Sequence, residues 1–135
     1  MNVDELMLYD FVYNITEGKN ERITGINNDG EIISFTNYIY DIDDFKPIPI
    51  TAEILEKMGF DHKYKGEPLK RQYWIKWIDG ANIHVKPYGG KFDFHITGIP
   101  MRPEWKKPIF SSVFDYVHQL QQAMRLCGIK KEIEL

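Results

Sequence analysis

The stretch NIHVKPYGGKFDFHIT, residues 82–97, decides the fold of this chain. Two runs of alternating apolar and polar residues flank Gly89-Gly90, and a glycine pair supplies the positive φ angles that a two-residue hairpin turn requires. With that loop, Tyr88 faces Lys91, Lys86 faces Asp93 and His84 faces His95. One face of the hairpin carries His84, Lys86, Tyr88, Lys91, Asp93 and His95; the other carries Ile83, Val85, Pro87, Phe92, Phe94 and Ile96. A sheet with one buried side requires this separation.

The run RQYWIKWI, residues 71–78, reads as the neighbouring strand, with a turn at Asp79-Gly80. Taking Asp79-Gly80-Ala81 as a three-residue loop puts Tyr73, Ile75 and Trp77 on the apolar face. Trp74 and Lys76 then lie beside the histidines. Further on, Val113, Val117, Leu120, Met124 and Cys127 recur at helical spacing and predict a helix over about 112–127, capped by Ser111 or Ser112 and ended by Gly128. This helix packs on the apolar sheet face. Residues 61–70 read as a polar loop, and 98–110, with three prolines, as a surface connection.

Upstream, short alternating runs at 10–14, 22–27, 31–35 and 38–45 predict four strands, with turns at 17–20 and 28–30. They form an SH3-like small barrel or a curled sheet over residues 1–50. After the extended Lys46–Ile50 connector, Thr51 caps a short helix over about 52–58. Ile50 and Leu55 have the spacing of a hydrophobic staple, and Gly59-Phe60 that of a C-terminal cap. The fold class is α+β: a β-rich N-terminal half, a short helix, then an antiparallel meander carrying a C-terminal helix. The 51–135 part is an α-β-β-β-α unit sharing its core with the first.

Two stretches resemble a known family. Pro47-Ile48-Pro49-Ile50-Thr51 with Leu55-Glu56-Lys57-Met58-Gly59-Phe60, and Val117-His118-Gln119-Leu120-Gln121, resemble motifs of small uncharacterised proteins encoded in Bacteroidetes genomes, often in prophages and mobile elements. The strand pattern ending Asp44-Phe45-Lys46-Pro47 fits as well. The family's helix motif usually continues Asn-Leu-Tyr, whereas Gln122-Ala123-Met124 stand here. The resemblance implies an architecture and a genomic context, and no catalytic residue.

The chain has 135 residues, 43% of them hydrophobic, and a formal net charge of -3. Length and composition fit one globular domain. No apolar run approaches the roughly 20 residues of a membrane span. The acidic start, MNVDELMLYD, is not that of a secretory signal. Cys127 is the single cysteine, which excludes an internal disulfide and fits a reduced, cytoplasmic setting. Its place on the helix stripe makes it a structural thiol. The charge is uneven. Residues 1–60 hold 12 Asp/Glu against 4 Lys/Arg, and residues 61–135 hold 8 against 13. Either the halves neutralise each other or the second presents a basic face.

Three functions follow. The first is a non-enzymatic, protein-binding accessory protein of a phage or mobile element, with His118, Gln122 and Arg125 on the polar side of the C-terminal helix as partner-binding candidates. The second is single-stranded nucleic-acid binding through Trp74, Lys76, His84, Lys86, Tyr88, Lys91 and His95, where amines meet phosphates and rings stack on bases. The third is a hydrolase or nuclease using His84 and His95 as an acid/base pair. Metal sites need three or four ligands, and only Asp93 lies near the pair, so neither metal nor other cofactor is expected. The run Asp41, Asp43, Asp44 lacks the calcium-loop pattern, and no phosphate-binding or nucleophile-elbow motif is present.

Overall fold

A computed structural model describes residues 6–27, 31–34, 39–97 and 110–135. Among the described residues, ten strands form two antiparallel five-stranded sheets. The first contains β1 (Phe11–Asn14), β2 (Lys19–Ile26), β3 (Ile32–Ser34), β4 (Ile39–Tyr40) and β5 (Phe45–Lys46), in the order β4-β3-β2-β1-β5. Its small core is Leu6, Val12, Ile23, Ile32 and Phe45. A register shift between Ile23 and Gly25 bends β2. The sheet keeps two edges, β4 and β5, so its described residues do not close into an SH3-like barrel.

The expected 38–45 strand is cut short for a local reason. The Asp41 side chain accepts from Asp43 N–H at 3.2 Å, and Asp44 accepts from Asp41 N–H at 3.0 Å. This reciprocal cap starts a 3-10 turn over Ile42–Asp44. The acidic run is thus used by the backbone. The expected turn at 28–30 lies outside the described residues.

Helix α1 (Ala52–Lys57) has the expected punctuation. Thr51 Oγ1 accepts from Ile54 N–H at 3.2 Å. At the other end Phe60 N–H reaches Leu55 O and Gly59 N–H reaches Glu56 O, both at 3.0 Å. Gly59 makes this cap possible with φ +88°, a conformation costly to any residue with a Cβ.

The second sheet contains β6 (Asp61–Lys63), β7 (Tyr73–Ile78), β8 (Ala81–Tyr88), β9 (Lys91–Thr97) and β10 (Phe110–Phe114), in the order β10-β9-β8-β7-β6. Both outer strands correct the sequence reading. The start of the 61–70 loop pairs with β7, and 110–114, expected as the end of the 98–110 connection and the start of the 112–127 helix, pairs with β9 from Phe110↔Ile96 to Phe114↔Phe92. Phe110, Ser112 and Phe114 alternate with Ser111 and Val113, a period-two pattern that the helical reading of Val113 obscured. Most of the 98–110 connection lies outside the described residues.

Helix α2 runs over Val117–Leu126. Gln119 Oε1 accepts from Asp115 and Tyr116 N–H at its start, in place of the expected serine cap. Gly128, with φ +80°, ends it as expected. Val117, Leu120, Ala123 and Met124 join Trp74, Ile83, Val85, Phe94 and Ile96, together with Leu55 and Met58, in the main core. Phe11, Ile48 and Ile50 enter the same core from the first 50 residues. The two stretches that carry the family resemblance meet there: Val117 N–H donates to Ile48 O at 3.0 Å, and Pro49 bridges Tyr116.

The other side of α2 holds the first sheet. Gln121 Oε1 accepts from Phe11 N–H at 2.8 Å, and its Nε2 donates to Tyr9 O at 3.1 Å. Gln122 Nε2 donates to Asp10 at 2.8 Å, and Arg125 pairs with Asp10. Glu132 takes the rest of the Arg125 guanidinium in two bonds of 2.9 and 3.1 Å.

Gln121→Ala leaves the buried Phe11 N–H without its acceptor and should lower the unfolding free energy by about 1–3 kcal/mol in urea denaturation. Gly59→Ala should cost about 1–3 kcal/mol by the same measurement, because the new Cβ meets both a left-handed backbone and the Lys76 ammonium 2.7 Å away.

Candidate functional site

Asp79 and Gly80 both have positive φ, 50° and 78°, and together they form the whole β7–β8 loop. Ile78 therefore faces Ala81, Trp74 faces Val85 and Ile75 faces His84. The expected three-residue loop is one residue too long, and a one-residue change moves every side chain of β7 to the opposite face. Trp74, 2% exposed, lies in the core and cannot stack on an incoming base. Lys76 lies on the same side, its ammonium against Gly59. Both leave the set of nucleic-acid candidates. The remaining five, His84, Lys86, Tyr88, Lys91 and His95, lie together on the outer face.

Tyr73, Ile75 and Trp77 join them there, and Trp77 is 72% exposed. Sequence reasoning assigned these three to the core. The Asp-Gly dipeptide, a hallmark of two-residue turns, was the signal that could have placed them correctly. No described helix packs on this face.

Rings cross the face from strand to strand. Tyr64 meets Tyr73 at 5.8 Å between centroids, and Tyr73 stacks on His84 at 4.7 Å. His84 faces His95 in the register expected from the sequence. His95 in turn sits between Asp93, 3.1 Å from Nε2, and Ser111, 3.2 Å from Nδ1. Partial burial, then the charges of Lys86 and His95, hold the His84 pKa below its ordinary 6.5.

A carboxylate, an imidazole and a hydroxyl in series can relay a proton. Acyl transfer also requires preorganised donors for an oxyanion, and here the hydroxyl stands on an exposed position of edge strand β10. The series orients His95. Among the described residues, no group of three or more His, Cys, Asp or Glu is placed to hold a metal ion.

The expected partner-binding residues are engaged inside the molecule. His118 is 2% exposed, with its ring parallel to Tyr116 at 5.9 Å. Gln122 and Arg125 hold Asp10. The polar side of α2 looked solvated because the sequence does not show that a second sheet covers it. Arg125–Asp10 and Arg22–Glu134 pair basic with acidic residues across the two halves. Lys65 likewise pairs with Glu56 of the acidic half, whereas Arg71 and Lys91 pair with Glu67 and Asp115 within the second half. Among the described Lys and Arg of residues 61–110, Lys65 alone forms an ion pair with the acidic half.

No family model, curated protein or solved structure matches the chain. No helix among the described residues is long and apolar enough to cross a membrane.

The His84 ring should titrate below 6.5 in an NMR pH series, and Lys86→Gln should raise that value. The unfolded chain binds the proton that folded His84 resists. This contribution to stability is complete above pH 6.5 and is lost as pH falls through the lower folded value. His84→Asn should accordingly reduce the difference between urea midpoints measured at about pH 5 and pH 7.5.

Proposed function

We propose that this protein is a non-enzymatic interaction module that docks a protein partner on the outer face of its second sheet. The observation that carries this reading is Trp77, 72% exposed and in line with Ile75 and Tyr73 on a sheet face with no described helix over it. An exposed tryptophan in one row with a half-buried tyrosine supplies residue types that dominate the energetics of protein interfaces. Lys63 and Lys86 stand on the same face beside Asp61, and Asp93 there is held by His95, so the partner is an apolar surface edged with Asp and Glu.

The resemblance to proteins of Bacteroidetes prophages and mobile elements supports an accessory role in a cytoplasmic setting. A second reading, single-stranded nucleic-acid binding, draws on the Tyr73–His84 stack with Lys86 beside it.

Peptides selected from a random library on the full-length protein should combine aromatic or aliphatic residues with Asp or Glu. Trp77→Ala should weaken their binding by about tenfold or more without lowering the melting temperature. Peptides indifferent to Trp77→Ala would exclude this face. Binding of an oligothymidylate that depends on Trp77 and falls steeply between about 50 and 200 mM salt would favour nucleic acid instead.

A further inference from the structure

The helices do not cover the inner face of the second sheet to its end. Between the start of α1, a 3-10 turn at Leu69–Arg71 and the Gly89-Gly90 turn lies a cavity of about 430 Å³. Its apolar walls are Ala52, Leu69, Trp74, Pro87 and Phe92. The size and lining are those of small-molecule sites, which span about 300–1,000 Å³. The cavity lies on the opposite side of the sheet from Trp77, so it stands apart from the docking face.

Its walls are held in place. His62 stacks on Trp74 at 4.2 Å, and Phe92 meets Trp74 edge-on at 5.4 Å. His62 Nε2 lies 2.7 Å from Gln72 Oε1, and Gln72 Nε2 donates to Glu67 O at 2.7 Å. The Gln72 amide is thus oriented by the backbone, and it leaves His62 Nε2 as the proton donor.

Trp74 forms a closed wall, and the charge at the cavity mouth points to a ligand. The Trp74 indole Nε1 is buried and has no hydrogen-bond partner among the described residues. An indole nitrogen can only donate, and a buried donor without an acceptor is costly. Lys70 and Lys91 also line the cavity, and no carboxylate does. Lys91 is shared with Asp115 at 3.1 Å, whereas Lys70 forms no ion pair among the described residues.

We propose that this cavity binds a small planar aromatic carboxylate. The ring lies against Leu69, Trp74 and Phe92. The carboxylate turns toward Lys70 and Lys91. An apolar floor supplies contact area for a ring, and two ammonium groups on one side select against a neutral molecule.

The experiment is an NMR titration of the full-length, ¹⁵N-labelled protein with 2-naphthoate, and with 2-naphthamide and acetate as uncharged and ringless controls. Naphthoate should move the Trp74 Nε1–H and the Gly89 and Gly90 amide resonances and leave the Trp77 Nε1–H in place. Naphthamide and acetate should bind at least about fivefold more weakly. Lys70→Glu, on an exposed turn, should weaken naphthoate at least about fivefold and leave naphthamide unchanged. Leu69→Ala, also exposed, should weaken both aromatic probes. The proposal is overturned if about 5 mM naphthoate leaves the Trp74 resonance unmoved. Equal affinity for naphthamide, or Lys70→Glu binding naphthoate as wild type does, would also overturn it.

Discussion

Gln121 lies on the side of α2 turned away from the second sheet, yet its amide is buried, accepting from Phe11 N–H and donating to Tyr9 O. Asp10, between these two residues, is fully buried and takes Gln122 and Arg125. A buried carboxylate is tolerable only when its oxygens are paired, and here both are. The helix consequently has an apolar contact on one side and a polar one on the other, and the two sheets are held through it. Burial works against the Arg125 charge, but the hydrogen bonds and charges of Glu132 and Asp10 outweigh that desolvation and raise its pKa.

This arrangement bears on function by elimination. The polar side of an amphipathic helix is an obvious docking surface when the helix is viewed alone. Here it is already occupied. The surface left without a described cover is the outer face of the second sheet, and its composition depends on one turn. Asp79 and Gly80 reverse the chain in two residues and present Tyr73, Ile75 and Trp77 to solvent rather than Trp74 and Lys76. The same turn places the Trp74 indole in the cavity on the inner side. One change of parity therefore assigned one tryptophan to each face.

Much of this was legible in the chain. The Gly89-Gly90 hairpin, its register and the His84–His95 pair follow from local turn chemistry and a strict period of two. The caps of α1 follow from Thr51 and Gly59, whose effects reach only a few residues. Ambiguity arose where two periods overlapped. Only Asp115 and Tyr116 separate Phe110–Phe114 from the helix, and Val113 fits both the strand and the helical stripe. In β7 every position is bulky, so the pattern did not reveal which face was inner. Asp61–Lys63 is strongly polar and is a strand because β7 offers an unpaired edge.

The sequence by itself determined the α+β class, the central hairpin, both helix C-terminal caps and the uneven distribution of charge. Those properties are set by interactions among neighbours in the chain, or by sums over it. Tertiary structure alone decided that the first sheet stays open among its described residues and that the polar side of α2 is an internal contact. It also decided which tryptophan meets water. Each of these depends on partners distant along the chain, such as Phe11 with Gln121 or Asp10 with Arg125. The physical reason is that burial and hydrogen-bond satisfaction belong to the assembled core, and a local pattern does not state which surface will lie against which.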